Sequence, residues 1–301
     1  MIPPFLPPAP IEPLVLPGWE NSGVTVEVLR LDAWDVFRGG NKYFKLLHNV
    51  EHFLSNNYDS LVTFGGAYSN HLAAFASLKA EMPEKRLIAV VRGDEDRDES
   101  VTLKRLRATG VEIVSVDRML YRQLRDGLVP GFFNQFGKSF VIPEGGSNAA
   151  GVQGCEMIAV YCTGNYNEIM LPIATGSTMA GLILGLKSDA CVTGVAVLKG
   201  EKYLDDQLEK MIAMPEEKNS DLPKYKILHD YHFGGYAKTT KELDAFVSMM
   251  RIKSSVPVEP IYTGKMFYAL HHRIINGEIP SGSHVLMIHT GGMQYLQSFE
   301  S

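Results

Sequence analysis

The stretch Gly39-Gly40-Asn41-Lys42-Tyr43-Phe44-Lys45-Leu46 joins a predicted strand to a predicted helix and indicates how this chain is built. The strand is predicted over residues 24–31. A helix ending near Asn56 is predicted by apolar residues at helical spacing, namely Phe44, Leu47, Val50, Phe53 and Leu54. The adjacent glycines allow a tight turn and a close approach of the backbone to another group.

Lys42 lies at the start of this helix, where the positive end of the helix dipole disfavours a cation. One interpretation is a solvated lysine that happens to follow a glycine turn. The other is an amine kept close to neutrality, or paired with an anion. A neutral lysine is a good nucleophile toward carbonyl groups, and attachment of pyridoxal phosphate is a common use of one. The stretch alone leaves both interpretations open.

Strands and helices are predicted to alternate along most of the chain. The predicted strands cover residues 61–64, 87–91, 111–114, 140–142, 168–174, 192–198, 225–229 and 285–289. This alternation predicts parallel sheets covered by helices on both faces. Residues 1–23 are rich in proline and are predicted to form an extended arm, with residues 11–14 against the body of the protein. Two open α/β sheets side by side place a cleft at the carboxyl ends of their strands.

Composition excludes several classes of protein. The chain has 301 residues, of which 45% are hydrophobic and 21% charged, with a formal net charge of −5, which predicts a soluble globular protein of two moderate domains. No basic stripe indicates nucleic-acid binding, and no apolar run is long enough to span a membrane. The first residues lack the features of a signal peptide, which predicts a cytoplasmic protein. Cys155, Cys162 and Cys191 are too few and wrongly spaced for a disulfide framework or a zinc site. A helix is predicted from Gly151 to Tyr161, and Cys155 and Cys162, two turns apart on one predicted helix, are predicted to be buried thiols.

Thr175-Gly176-Ser177-Thr178 lies between a predicted strand and a predicted helix, where backbone N–H groups and hydroxyls can surround an anion. The alternative is an ordinary turn in which Ser177 or Thr178 caps the helix. The loop lacks the lysine of a Walker motif and the middle glycine of a dinucleotide fingerprint. A phosphate bound here is therefore predicted to be a monophosphate.

Ser69-Asn70-His71 follows Gly65-Gly66 at a second predicted helix start. These side chains can hold a carboxylate or a phenolic oxygen, or Ser69 or Asn70 can simply cap the helix. No glycine follows the serine as the nucleophile elbow of hydrolases requires. Tyr236 and Tyr262 are candidate catalytic tyrosines, although a lone tyrosine more often packs with a satisfied hydroxyl.

His289, which precedes Thr290-Gly291-Gly292, is interpreted as a structural histidine. The adjacent His271 and His272 face different sides of a helix and make a poor metal pair.

Six motifs together resemble one family of pyridoxal-phosphate enzymes. They are Gly39-Gly40-Asn41-Lys42, Gly65-Gly66-Ala67-Tyr68-Ser69-Asn70-His71, Gly145-Gly146-Ser147-Asn148, Thr175-Gly176-Ser177-Thr178, Tyr262-Thr263-Gly264-Lys265 and His289-Thr290-Gly291-Gly292. From about Ile11 to about Tyr295, the chain resembles the family of 1-aminocyclopropane-1-carboxylate deaminase and D-cysteine desulfhydrase. The resemblance implies the tryptophan-synthase-β-like fold, with two open, mostly parallel sheets flanked by helices and the cofactor in the cleft between domains.

The resemblance also implies the domain bounds, the site and the assembly. Residues 1–54 and 147–301 would form the large cofactor-binding domain and residues 55–146 a small α/β domain, in a homodimer that acts on a small amino acid. Lys42 would bind pyridoxal 5′-phosphate covalently and then take the α-proton of the substrate. The other cofactor-binding residues implied are Lys45, Asn70, Thr175, Gly176, Ser177, Thr178, Thr263 and Thr290. The substrate carboxylate would meet Ser69, Asn70 and His71, and the catalytic residues beside Lys42 would be Ser69, Tyr236 and Tyr262.

Thr263 and Thr290 separate the two branches of the family, because deaminases typically carry Glu and Leu at these places. The threonines favour α,β-elimination from D-cysteine, giving pyruvate, ammonia and sulfide. A neutral hydroxyl beside the pyridine nitrogen makes a weaker electron sink than a carboxylate does, which suffices when a thiolate leaves. The alternatives are deamination of 1-aminocyclopropane-1-carboxylate to 2-oxobutanoate, a non-catalytic cofactor- or amino-acid-binding protein of the same fold, and a phosphate-ligand enzyme without pyridoxal.

Overall fold

A computed structural model describes residues 8–35, 39–93, 100–215 and 221–294, with only the backbone of Glu201. Its strands are β1 Ile11–Pro13, β2 Thr25–Arg30, β3 Ser60–Gly66, β4 Arg86–Arg92, β5 Glu112–Val116, β6 Ser139–Ile142, β7 Glu168–Ile173, β8 Cys191–Ala196, β9 Tyr225–Leu228 and β10 His284–His289. Its α-helices are α1 Asn41–Ser55, α2 Asn70–Glu81, α3 Val101–Thr109, α4 Arg118–Arg125, α5 Ala149–Glu156, α6 Ser177–Gly185, α7 Glu201–Ile212, α8 Lys241–Lys253 and α9 Thr263–Ile275.

The larger sheet has six strands in the order β1-β2-β10-β7-β8-β9. Every neighbouring pair is parallel except β1 and β2, which pair antiparallel. Strand β1 belongs to the predicted proline-rich arm, so the expectation that residues 11–14 lie against the body of the protein is confirmed. Apolar residues of β7 and β8 are fully buried because helices cover both faces of the sheet.

The smaller sheet has four parallel strands in the order β5-β4-β3-β6. All four lie within residues 55–146, the segment predicted as the small domain. The prediction of two mostly parallel sheets flanked by helices is confirmed. The exact domain bounds stay a prediction, and the termini of the large domain and the end of the resemblance at Tyr295 lie outside the described residues.

Helix α1, which follows the glycine turn, packs against both sheets. Phe44 belongs to the core of the larger sheet. Leu47, Val50 and Phe53 belong to the core of the smaller one. Leu54, predicted on the same apolar face, is instead 37% exposed. Because its first turn is fixed between the two cores, α1 positions Lys42 where the sheets meet.

Two local predictions were wrong. Helix α4 was not predicted, because it has only eight residues, of which Tyr121 and Leu124 alone are buried. The helix predicted from Gly151 to Tyr161 is α-helical only to Glu156 and continues as a 3-10 turn over residues 157–161.

Cys155 and Cys162 are therefore not on one continuous α-helix, although both are buried free thiols as expected. Within the described ranges, no helix combines the length and the apolar character needed to cross a bilayer.

Candidate active site

The loops that carry the motifs meet at one cavity of about 360 Å³. Most of them follow strands of the two sheets at their carboxyl ends, as expected for ligand sites of open parallel sheets, whereas the motif at Tyr262 follows α8. Most of the predicted site residues line it: Lys42, Lys45, Ser69, Asn70, His71, Thr175, Gly176, Thr178, Tyr236, Tyr262 and Thr290. Ser177 and Thr263 do not.

Two glycines make this convergence possible. Gly40 has φ +81°, and a Cβ there would lie 2.2 Å from the carbonyl oxygen of Thr290. The same carbonyl accepts a hydrogen bond from Asn41 N at 3.1 Å, which joins the start of α1 to the loop after β10. Gly292 has φ +91°, and a Cβ there would lie 2.4 Å from Nδ2 of Asn70. A side chain at either position would separate loops that now touch.

Lys42 is held by a neighbour that the sequence did not single out as a site residue. Its Nζ donates to Oδ1 of Asn41 at 3.1 Å, and Nδ2 of Asn41 donates to Oγ1 of Thr178 at 2.9 Å. Burial, followed by repulsion from Lys45, holds the pKa of Lys42 well below its ordinary value. The structure therefore favours an amine that is easily neutral over a solvated ammonium group.

The opposite part of the cavity is suited to an anion. Helix α6 begins after Gly176 without a side-chain cap, so its first backbone N–H groups point toward the cavity unpaired by any capping side chain. The alternative in which Ser177 or Thr178 caps this helix is therefore wrong. Nζ of the buried Lys45 donates to Oγ1 of Thr175 at 3.4 Å.

Ser177 lies behind this loop and supports it. Its Oγ is 3.5 Å from Oγ1 of Thr175 and 3.5 Å from Oγ of Ser147. Ser147 was quoted only as part of a motif, and its hydroxyl gave no sign in the sequence that it would meet residue 177. The three hydroxyls form a small polar cluster next to the uncapped helix start.

The start of α2 forms another wall. Oγ of Ser69 accepts the backbone N–H of Leu72 at 3.3 Å, so Ser69 caps α2 and lines the cavity at the same time. Nε2 of His71 lies 2.9 Å from Oγ1 of Thr63, whereas its buried Nδ1 has no partner among the described residues. Burial, with repulsion from Lys42 and Lys45, lowers the pKa of His71 to about 3, so its ring is neutral at physiological pH.

Tyr236 and Tyr262 meet over the cavity, with Oη of Tyr262 donating to Oη of Tyr236 at 3.3 Å. Tyr236 follows a turn that contains Phe233 at φ 51°, a conformation that a bulky residue rarely adopts. Nζ of Lys265 holds this turn by donating to the carbonyl oxygens of His232 and Gly235, each at 2.8 Å. Lys265 has a pKa of about 8, lowered by burial.

Glu259 organises the start of α9, which carries Tyr262. Its carboxylate accepts the backbone N–H groups of Ile261, Tyr262 and Thr263. Oγ1 of Thr263 donates to the same carboxylate at 3.0 Å. Thr263 is thus turned away from the cavity, and of the threonine pair singled out in the sequence only Thr290 lines it. Glu259 carried no recognisable signal in the sequence.

Two charged residues at the cavity were also missed. Arg92, at the end of β4, and Glu144, after β6, both line it. A Cβ on Gly66 would be 3.5 Å from Nη2 of Arg92, so the guanidinium lies beside the loop that leads to Ser69. A charge at the end of a predicted strand is a weak signal, because most such residues are simply solvated.

The remaining histidines have structural contacts. Nε2 of His289 donates to the carbonyl oxygen of Pro257 at 2.8 Å, and its Nδ1 lies 3.1 Å from Asp32. His271 accepts from Trp19, while His272 contacts Tyr231. In the segments that the structure describes, no three His, Cys, Asp or Glu residues are grouped so as to hold a metal ion.

These two sheets, with a site where their loops converge, define an α/β fold that solved structures share. A crystal structure described as an "ACC deaminase homologue" superposes with a TM-score of 0.77 and 28% sequence identity, covering 95% of this chain and 90% of that one. No protein-family model matches the chain.

Sequence relatives carry both names of the family that the motifs resemble. A Pyrococcus horikoshii protein named "Putative 1-aminocyclopropane-1-carboxylate deaminase" is 28% identical over 284 residues, which cover 90% of this chain and 85% of that protein. A Yersinia pestis protein named "D-cysteine desulfhydrase" is 27% identical over 295 residues, covering 92% and 89%. The resemblance is thereby confirmed, and the chain is a homologue of proteins with these two names.

Proposed function

We propose that this protein is a pyridoxal-phosphate-dependent enzyme that catalyses α,β-elimination from a small amino acid, most plainly D-cysteine. With one water, D-cysteine would give pyruvate, ammonia and hydrogen sulfide. The observation that carries the proposal is one cavity with Lys42, whose pKa is strongly lowered, and the uncapped start of α6. The names of the relatives support it.

The residues present fit this cofactor. A nearly neutral amine suits an aldehyde, and unpaired N–H groups with Lys45 suit a phosphate. Two buried polar atoms of the lining, Nδ1 of His71 and Oε1 of Gln294, lack partners among the described residues. Buried polar atoms without partners are rare in folded proteins, which favours a polar ligand in this cavity.

In the proposed complex Lys42 would bind the aldehyde group, and the loop from Thr175 to Thr178, with Lys45, would hold the phosphate. Asn70, whose Nδ2 has space only because residue 292 is glycine, would donate to the phenolic oxygen of the cofactor. The hydroxyl of Thr290 would be a neutral partner for the ring nitrogen. Thr263 is not included, because Glu259 engages its hydroxyl.

When bound, the cofactor supplies a sink for the electron pair left on the α-carbon of the substrate. Lys42 Nζ takes the α-proton, which its lowered pKa allows near neutral pH. Ser69 and the first backbone N–H groups of α2, those of Asn70 and His71, bind the substrate carboxylate. The paired hydroxyls of Tyr236 and Tyr262 donate a proton to the departing sulfur and regain one from water.

The test of Lys42 uses covalent trapping. Purified protein is mixed with pyridoxal phosphate and reduced with borohydride, and digested peptides are weighed by mass spectrometry. The wild type and Lys253→Ala, which changes an exposed lysine of α8, are expected to carry the cofactor mass on Lys42. Lys42→Ala is expected to lose the label. A label that persists elsewhere on Lys42→Ala refutes the role of Lys42.

A second candidate activity is the deamination of 1-aminocyclopropane-1-carboxylate to 2-oxobutanoate, which the deaminase name of the Pyrococcus horikoshii relative favours. Measuring keto-acid release from D-cysteine, L-cysteine and 1-aminocyclopropane-1-carboxylate distinguishes elimination from this deamination. A preference for 1-aminocyclopropane-1-carboxylate overturns the elimination proposal. A protein that binds cofactor but turns over no amino acid would be a non-catalytic member of the fold. A colourless protein that shows no spectral change with the aldehyde would be a phosphate-ligand enzyme. The homodimer and the cytoplasmic location stay predictions.

A further inference from the structure

A small side pocket adjoins the main cavity. It has a volume of about 30 Å³, enough for roughly one water-sized group. Asn70, Thr102, Tyr236, Tyr262 and Gln294 contribute to its lining. All of these except Thr102 also line the main cavity, so the pocket lies directly beside the proposed substrate position.

Gln294 is the residue of this pocket that lacks a partner. Its side chain follows the loop after β10, is 4% exposed, and has an amide oxygen with no hydrogen-bond partner in the part of the chain that is described. Three other polar side chains of the lining are engaged, since Tyr262 donates to Tyr236 and Glu259 accepts from the start of α9. A buried acceptor without a hydrogen bond lowers the stability of the protein. A ligand that donates a hydrogen bond to Gln294 would remove this cost and would therefore bind more tightly.

The pocket sets two conditions for a bound group: it must donate a hydrogen bond to the amide oxygen, and it must be about the size of a water molecule. A hydroxyl, thiol or amino group on the side chain of an amino acid meets both conditions. The hydrocarbon ring of 1-aminocyclopropane-1-carboxylate does not meet the first condition, because it has no hydrogen-bond donor. The pocket also offers little room for a long or branched side chain.

We propose that Gln294 and this side pocket select amino-acid substrates whose side chain ends in a small hydrogen-bond donor. This inference rests on the proposed function, and it narrows the substrate to the chemical class of hydroxyl-, thiol- or amino-bearing small amino acids. Gln294 is a specificity-determining residue in this assignment, and it takes no part in moving the α-proton.

Serine and alanine form a matched ligand pair because they differ by one hydroxyl group. Both enantiomers of each are titrated against the cofactor-loaded protein, with affinities read from the cofactor absorbance in stopped flow before turnover and, independently, from calorimetry. Wild type is expected to bind one enantiomer of serine about 10-fold more tightly than the matching alanine, as a buried hydrogen bond allows. Gln294→Leu should bind serine and alanine with about equal affinity. Gln294→Glu, which keeps an acceptor oxygen, should retain most of the preference for serine.

Folding of each variant is checked by its melting temperature, and Gln294→Met replaces Gln294→Leu if the latter does not fold. Equal affinity of wild type for serine and alanine, or an unchanged preference in Gln294→Leu, overturns the inference alone. A wild type that takes up no pyridoxal phosphate overturns the proposed function and this inference with it.

Discussion

Acidification from about pH 7 to about pH 4 is expected to destabilise the folded protein through His71 by about 3 kcal/mol. The ordinary pKa of histidine is near 6.5, and that of folded His71 is lowered to about 3 by burial and by Lys42 and Lys45. Below about pH 6.5 the unfolded chain therefore takes up a proton that the folded chain refuses. The contribution of His71 to the free energy of unfolding is therefore constant above about pH 6.5 and decreases as the pH falls from there to about 3.

The magnitude is measured by urea unfolding of cofactor-free wild type and His71→Gln at both pH values. Glutamine keeps a polar group near Thr63 but does not titrate, so the variant should lose about 3 kcal/mol less than wild type on acidification. His52→Gln, on the exposed side of α1, is the matched control and should behave like wild type. Equal losses in wild type and His71→Gln, or an NMR titration of His71 centred near 6.5, would refute the reasoning.

Three further substitutions probe the walls of the cavity. Lys265→Met is expected to cost about 2 kcal/mol in urea unfolding, since it leaves the carbonyl groups of the turn before Tyr236 unpaired, and a cost near zero would contradict this. Asn41→Ala removes the hydrogen bonds that connect Lys42 to Thr178 and should weaken pyridoxal-phosphate binding about 10-fold in an absorbance titration. Unchanged affinity would show that these hydrogen bonds do not contribute to cofactor binding. Arg92→Gln should raise KM for D-cysteine without changing kcat, because the guanidinium attracts the substrate carboxylate, and a fall in kcat alone would argue against this role.

Most of the residues singled out in the sequence line one cavity, because the signals that mark them are local. The motif glycines allow the backbone to turn after a strand, and the strands themselves are visible as short apolar runs. Since parallel strands end at one edge of a sheet, residues as distant as Lys42, Thr178 and Thr290 could be placed at one cleft. Helix α4 was missed because its eight residues are fewer than the window over which a helical period is recognised.

Neighbouring positions at the start of α9 were harder to separate. Tyr262 immediately precedes the helix and Thr263 is its first residue, yet Tyr262 faces the cavity and Thr263 faces Glu259. A sequence pattern places a helix start only to within one or two residues, so it does not tell which of two adjacent side chains faces a site.

By itself, the sequence determined the two-sheet α/β class, the glycine-rich loops and the lysine at the start of α1, because chain stereochemistry and hydrophobic periodicity depend on residues a few positions apart. Only the tertiary structure decided which polar groups are satisfied. Asn41 meets Thr178, Lys265 meets the turn before Tyr236, and Gln294 meets no described residue. Hydrogen bonding and desolvation depend on the positions of atoms from distant segments within a few ångströms, which no local pattern records.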